Sequence, residues 1–339
     1  MARNPGFHGD YKKDILTGCT PVLLNVLIAF FLDALLGDPV FRAHPVRLIG
    51  SLLTFFERIF YPIRWKVLGG LLLVLSALSV VFFTTYGLNW LNRFITLPFS
   101  INGITVLLLY FLFCNREMVK EARSVCRALQ DGDLARARER VGRIVGRDTA
   151  VLDARSIIRA TVESVAENIV DGFTAPLFYF LIGGIPLAYV YRTVNTIDSR
   201  FGYKNSRYER FGKIGARLDD ALNFLPARIN GFIVYCASGF RAQVLESMLL
   251  DGRKHPSPNS GISEAGFSAC LGLRLGGPSS YGGVLKPKPW IGEDRVKESE
   301  LDDPGIILSA VSMYWRTVFT TLFLFLTAGF LLRMPLIFG

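Results

Sequence analysis

The chain has 339 residues, 51% of them hydrophobic, with a mean hydropathy of +0.36 and a formal net charge of +10. That hydropathy excludes an ordinary soluble protein of this length, because the apolar residues come in long blocks rather than at core spacing. The 38 basic residues are interleaved with 28 acidic ones, which argues against a bare nucleic-acid patch and for cations collected at the ends of membrane spans.

Residues 1–20 form a polar N-terminal extension. The first apolar segment, 21–37, carries Asp33 and lacks a small-residue cleavage site, so it reads as a retained anchor. Gly37-Asp38-Pro39 breaks it, and a basic stretch follows to Lys66. Residues 67–91 contain no charge and exceed the roughly 20 residues that cross a bilayer. The uncharged run 100–115 predicts a third span. Residues 115–160 are rich in arginine, and the positive-inside rule places 38–66 and 115–172 in the cytoplasm. From Arg116 to Leu129 the spacing predicts an amphipathic helix; Asp133 is placed to cap a second one carrying Leu134, Ala137, Val141 and Ile144.

Residues 173–191 are apolar enough to span, but Gly183-Gly184-Ile185-Pro186 interrupts them. A re-entrant or broken helix pair would keep both polar flanks on one side, with its backbone covered by protein or a wet cavity. Residues 250–304 are rich in Gly, Pro and Ser and are expected to be mostly loop. A last hydrophobic helix covers 306–332. The expected fold is all-α and polytopic, with four to five hydrophobic helices, cytoplasmic helical segments and a Gly/Pro-rich loop region. Residues 21–339 form one membrane-embedded catalytic domain.

Nucleotide-loop, zincin and serine-hydrolase signatures are absent. Three histidines exclude a histidine-rich metal site, and five cysteines without a C-x-x-C pair exclude a disulfide scaffold or a zinc knuckle. What remains is a set of polar clusters beside apolar segments. Glu163, Glu167 and Asp171 recur one helical turn apart, a carboxylate stripe that needs something cationic opposite it. A divalent cation with its phosphates would serve, and so would the surrounding arginines in a plain solvated face. Asp198, Asp219, Asp220 and Asn223 are hard-cation ligand types. Arg147, Arg192, Arg217 and Arg228 suit phosphate or carboxylate, and ordinary surface pairing as well. Asp148 and Thr149 are also natural caps for the helix that follows. The loop His255-Pro-Ser257-Pro-Asn259-Ser260 suits ligand contact or a simple turn. Asp33 is costly inside an apolar run unless paired or facing a wet cavity.

In chain order, G-D-P with H-P-V-R-x-I-G (His44, Arg47), V-G-R-D-T, E-S-V-A-E-N-x-V-D-G, N-T-x-D-S-x-x-G-Y-K, R-x-D-D-x-x-N-x-x-P-A-R, S-P-N-S, L-G-G-P and P-W-I-G follow one another. The chain resembles the adenosylcobinamide-phosphate synthase family from about residue 22 to the C-terminal helix. The resemblance implies a multi-pass enzyme of the cell membrane with its site facing the cytoplasm. It implies ATP- and Mg²⁺-dependent amide formation between adenosylcobyric acid, a corrinoid substrate, and aminopropanol phosphate, giving adenosylcobinamide phosphate. Laid on the matching motifs, the chemistry assigns Glu163, Glu167 and Asp171 to catalysis and Asp198, Asp219, Asp220 and Asn223 to the metal. It assigns Arg147, Asn168, Arg192, Asn195, Lys204, Arg217, Arg228, His44, Arg47, Ser257 and Asn259 to substrate and phosphates. Expected partners are the three substrates, the lipid bilayer and other cobalamin assembly enzymes, with no nucleic acid. Two rival readings are a transporter, with Asp33, Arg192 and Asp198 along its path, and a non-catalytic membrane scaffold for those enzymes.

Overall fold

The computed structural model describes residues 10–39, 41, 43–94, 101–203, 205–292 and 302–332. Along these run α1 (Asp10–Leu36), α2 (Pro45–Phe60), α3 (Lys66–Leu91), α4 (Gly103–Tyr110), α5 (Asn115–Gln130) and α6 (Leu134–Val141). Then come α7 (Ala154–Ile169), a π-helical turn at Val170–Thr174, α8 (Ala175–Phe201), α9 (Lys213–Ala237), α10 (Ala242–Leu250), α11 (Ser260–Leu271) and α12 (Gly305–Leu332). Four short strands lie between α11 and α12: β1 (Leu275–Gly276), β2 (Ser279–Tyr281), β3 (Val284–Lys286) and β4 (Trp290–Ile291). The β2–β3 hairpin sits inside the antiparallel β1–β4 pair. The chain is an all-α membrane protein. Lys66–Leu91, Ala154–Phe201 and Gly305–Ala328 are long and apolar enough to cross a bilayer, and Val22–Leu36 is a shorter apolar helix.

One expectation needs correction. The run 100–115 is not one crossing helix. Its helical part, α4, has eight residues and is only about 12 Å long. Its end is held by Tyr110, whose hydroxyl donates to Gly37 O. The region 250–304 also carries more regular structure than expected, with the 12-residue α11 and four short strands set among its turns. Gly and Ser there are packing choices: a Cβ on Gly266 would meet Val234 of α9 at 2.8 Å, so the small residues let two helices approach closely. The N-terminal extension is helical from Asp10 onward, continuous with the first apolar segment.

Residues 175–201 do not form one straight helix. Gly184 has φ 63° and ψ −162°, a backbone region open essentially to glycine alone, next to Gly183 (φ −139°, ψ 24°) and Pro186. A straight helix over residues 171–195 would hold its ends about 36 Å apart. Instead Asn195 Nδ2 donates to Asp171 Oδ2 at 3.1 Å, and the Tyr179 and Tyr191 rings stack at 5.1 Å. The chain turns back at Gly183–Gly184, and both polar flanks lie at one end of the hairpin.

Asp133 caps α6 by accepting from Arg136 N at 2.9 Å, so α5 and α6 form a helical hairpin. Asp33 is buried, and its Oδ2 accepts from Asn115 N (3.1 Å) and Asn115 Nδ2 (2.8 Å). Tyr314 in turn donates to Asn115 Oδ1 at 3.0 Å. Asp33 thus ties α1 to α5 and α12, and hydrogen bonds to a buried charge contribute roughly 1.5–3 kcal/mol each. Phe30 and Phe113 both pack against Phe173 beside this knot.

Candidate active site

The site begins where α7 runs into α8. Pro176 has no N–H and its ring would collide with the carbonyl four residues back, Gly172. The helix widens there: Ala175 N bonds Val170 O, five residues back, and Val170–Thr174 is π-helical. Such bulges re-aim side chains. Asp171, inside the bulge, leaves the line of Glu163 and Glu167 and turns toward the returning arm of α8. Tyr191 Oη lies 3.1 Å from Asp171 Oδ1 and 2.9 Å from Asn223 Oδ1. Asn223 Nδ2 donates to Asp219 Oδ2 at 3.0 Å, and Asn195 Nδ2 reaches Asp219 Oδ1 at 3.5 Å. One network therefore fixes two carboxylates from α9 and the bulge. At the end of α8, Gly202 closes over Asp198: a Cβ there would strike Asp198 Oδ1.

These residues line a cavity of about 280 Å³. Glu167, Asp171, Asp198, Asp219 and Asp220 face it, against Lys288 and His255. Five carboxylates around one lysine are a strongly cation-seeking arrangement. Burial, then Asp171 and Asp198, push Asp219 up to about 8. Among the described residues no group of three or more His, Cys, Asp or Glu converges into a ready-made metal cage. The donor set does fit a phosphate-borne Mg²⁺, which takes one or two carboxylates and completes its shell with water and phosphate oxygens.

A second cavity of about 590 Å³ shares Glu167, Asp198, His255 and Lys288 with the first and adds Arg147, Glu163, Tyr203, Tyr281 and Lys286. Arg147 pairs with Glu163, whose other oxygen accepts from Gly276 N at 2.6 Å. Burial pushes the Arg147 guanidinium down, but Glu163 more than offsets it and the net shift is upward. Burial, with Glu163 and Glu167 adding to it, holds the Glu264 carboxyl well above the carboxylate range, and burial lowers His255 beside it. A third cavity, of about 530 Å³, continues past Gly202, Ala216 and Asp220 to Arg210, Lys213 and Arg217. The acidic centre is thus flanked on both sides by cations in one continuous cleft.

The residues singled out in the sequence divide clearly. Glu167, Asp171, Asp198, Asp219, Asp220, Asn223, Ser257 and Asn259 line the acidic cavity, with Arg147 and Glu163 on one side and Arg217 on the other. Ser257 Oγ accepts from Asn259 N at 3.3 Å, and Asn259 Nδ2 holds Asp220 O at 2.8 Å. Arg228 braces this loop through Asn259 Oδ1 at 3.3 Å. Asn195 acts through Asp171 and Asp219, as above. Asn168 Oδ1 is buried with no partner among the described residues, against Gly172. Arg192 is buried and donates to Leu112 O (2.6 Å) and Cys114 Sγ (3.0 Å), so it anchors the backbone behind the site rather than facing the cleft. His44 pairs with Asp38 at 2.7 Å between Phe41 and Phe111, and Arg47 is exposed on α2; neither lines the cleft. Lys204 lies outside the described residues. Asp148 does not cap the next helix; Asp153 does, accepting from Ser156 N at 2.8 Å. Asp148 instead accepts from Gly282 N, Gly283 N and Ser280 Oγ, clamping the β2–β3 hairpin, and these bonds lower its pKa.

That hairpin and the strip that follows it carry residues not singled out in the sequence. Tyr281, Lys286 and Lys288 overhang the cleft. The available signal was the alternation Lys286-Pro287-Lys288-Pro289, which forces an extended strip with both cations on one side. Lys213 is one turn before Arg217 on α9, so helical spacing could have found it, whereas Arg210 lies in the turn that precedes the helix.

Fold and cleft together define an all-α membrane protein whose polar cleft, acidic at its centre and basic at its flanks, lies at the base of a broken helical hairpin. The CobD/Cbib protein family model matches residues 26–313, and the chain belongs to this family. It is 39% identical to the cobalamin biosynthesis protein CobD of Halalkalibacterium halodurans over 317 residues, 91% of this chain and 97% of the relative. Identity to CobD of Photorhabdus laumondii subsp. laumondii is 40% with the same coverage. The cobalamin biosynthesis protein CbiB of Salmonella choleraesuis is 39% identical over 323 residues, 91% of this chain and 97% of the relative. No solved structure matches the chain.

Proposed function

We propose that the protein acts in cobalamin biosynthesis as an ATP-dependent amide synthase, joining adenosylcobyric acid to aminopropanol phosphate to give adenosylcobinamide phosphate. The observation that carries this reading is the charge order of the cleft: five carboxylates at the centre, Lys286, Lys288 and Arg147 on one side, Arg210, Lys213 and Arg217 on the other. A carboxylate does not condense with an amine unaided. Transfer of the ATP terminal phosphoryl group to the propionate oxygen gives an acyl phosphate and releases ADP. Attack of the amine nitrogen on its carbonyl carbon then forms the amide and expels phosphate, while one amine proton leaves to a base.

Each part of the cleft has a task in that sequence. Asp198, Asp219 and Asp220 would hold Mg²⁺, which neutralises phosphate charge when bound. Asn195, Asn223 and Tyr191 fix Asp219 and Asp171 so that the carboxylates need not reorganise. Lys288 and Arg147 stabilise negative charge on the transferring phosphoryl group. The Arg210, Lys213 and Arg217 cavity suits the phosphate of the amine substrate, placing its nitrogen toward the centre. Glu167 is the base of choice: it faces the cavity, and Ser260 Oγ holds Oε1 at 2.8 Å. Glu163, locked by Arg147 and Gly276 N, serves as a positioning residue. The basic α5–α6 region, whose chain leads on to Arg147 in the cleft, supports a cytoplasmic site.

The test is direct. Protein purified in detergent is supplied with adenosylcobyric acid, aminopropanol phosphate and MgATP. Adenosylcobinamide phosphate should form with stoichiometric ATP cleavage. Absence of both product and ATP consumption refutes the synthase and leaves the transport or scaffold readings.

A further inference from the structure

A separate polar cavity lies away from the cleft, between the end of α9, the end of α11 and α12. It holds about 220 Å³, and Ser238, Arg241, Cys270, Ser309, Ser312 and Arg316 line it. It is distinct from the cleft. Ser260, at the first turn of α11, belongs to the cleft, and Cys270 sits at the last turn, about 15 Å further along the helix.

Its lining is one-sided in charge. Two arginines and the hydroxyls of Ser309 and Ser312 face it, and among the described residues no carboxylate does; the Ser238 hydroxyl at its edge is taken up by Tyr235 O at 2.6 Å. Arg241 donates one N–H to Cys270 O at 3.1 Å, which fixes that side chain at the rim. Among the described residues, neither guanidinium has a carboxylate within ion-pair distance. Both arginines line the one cavity beside Cys270, whose thiol burial pushes up to about 11 while the two guanidinium charges act against that rise. Like charges converging on a polar cavity repel, and an anion between them reverses the sign of that interaction.

The depth of the cavity indicates what kind of anion. Arg316 is the last charged residue of α12. Residues 317–332 give about 24 Å of uncharged helix, most of a hydrocarbon thickness. The outward face of α12 passes from Ser309 and Ser312 through Arg316 to exposed Phe319 and Phe323. On the other side of the cavity α10, which packs on α11, exposes Leu245 and Leu249. The cavity therefore sits where polar surface gives way to apolar surface. A lone arginine there would simply extend its head to water. Two of them, converging on a hydroxyl-lined cavity, make a site of phosphate chemistry, with forked N–H donors and O–H donors around one tetrahedral group.

We propose that Arg241 and Arg316 bind a phosphate group at the membrane surface on the cleft side. Its position at the apolar boundary favours an anionic phospholipid headgroup as the source; free phosphate shares the chemistry. To test this, the full-length protein, exchanged into zwitterionic detergent, is offered phosphatidylglycerol, phosphatidylcholine or inorganic phosphate. Bound lipid is read by native mass spectrometry, and thermal midpoints are recorded in parallel. Wild type should retain phosphatidylglycerol over phosphatidylcholine, and the R241Q/R316Q variant should lose roughly tenfold of that retention with its two charge-assisted contacts. The R241K/R316K variant should keep part of it. If inorganic phosphate instead raises the wild-type midpoint, and not that of the glutamine variant, while phosphatidylglycerol is not retained, the site stands with free phosphate as its source. Equal retention and equal phosphate response in wild type and R241Q/R316Q overturn the proposal. Should the double variant fail to fold, R316Q alone, at an exposed position, carries the same comparison. Turnover in detergent should be unchanged in all of them, because neither arginine lines the cleft.

Discussion

Replacing Gly184 by alanine tests the feature on which the whole cleft depends. At φ 63° and ψ −162° an L-residue is strained whatever the space around it, and such positions cost about 1–3 kcal/mol. Sterics add little: the nearest heavy atom to an added Cβ is Pro186 Cδ at 3.7 Å. At 1.4 kcal/mol per tenfold, the ratio of closed to opened hairpin should fall by roughly 5- to 150-fold. Opening separates Asp171 from Asn195 and Tyr191, now at 3.1 Å each, and so dismantles the acidic centre. The assay is a thermal melt of detergent-purified protein together with turnover per folded molecule. G184A should lower both. The control is G132A, on the α5–α6 turn at φ 73° with nothing within 4 Å. It carries a left-handed penalty of about 1–2 kcal/mol far from the cleft, so it should lower the melt and leave turnover intact. Wild-type melting and turnover in G184A would refute the glycine-only turn as the device that assembles the site.

Three further outcomes follow from the cleft itself. Asp219 stands at about 8 against an ordinary 3.8, so the folded protein binds more protons than the unfolded one in that window. Its stability without Mg²⁺ should therefore decline as pH rises from about 4 to 8. D219N should flatten that decline in melts across pH while abolishing turnover, and an unchanged pH profile would count against the buried acidic centre. E167Q should cut amide formation by about 10²–10⁴-fold, the range of a lost general base; product formation at the wild-type rate would remove Glu167 from that role. E163Q strips the charge partner from Arg147, whose side chain is 14% exposed, and should destabilise by about 3 kcal/mol. A chemical denaturation midpoint equal to that of wild type would show that the pair contributes nothing.

Much of the site was legible because it comes from contiguous motifs. Glu163, Glu167 and Asp171 were visible as a stripe, and Asp219, Asp220 and Asn223 as a ligand-like run. Their separate fates were not visible. Glu163 is taken up by Arg147, Glu167 faces the cavity, and Asp171 is swung out of their line by the bulge that Pro176 imposes and reaches the cavity beside Tyr191 and Asn195. The run 100–115 misled because absence of charge measures compatibility with lipid, not helix length. Arg192 misled because a guanidinium suited to phosphate is equally suited to backbone carbonyls, and here it binds Leu112 O.

By itself the sequence determined the membrane character, the helical class and the break at Gly183–Gly184. Each follows from local properties: transfer of apolar side chains, helical spacing, and the backbone freedom of glycine beside a proline. Only the tertiary structure decided which polar residues meet. The return of the hairpin brings residue 195 to residue 171, and the β2–β3 hairpin with the strip after it adds Lys286 and Lys288 over a cleft whose acids lie more than 60 residues earlier in the chain. Those pairings are set by the packing of distant segments, and no local pattern encodes them.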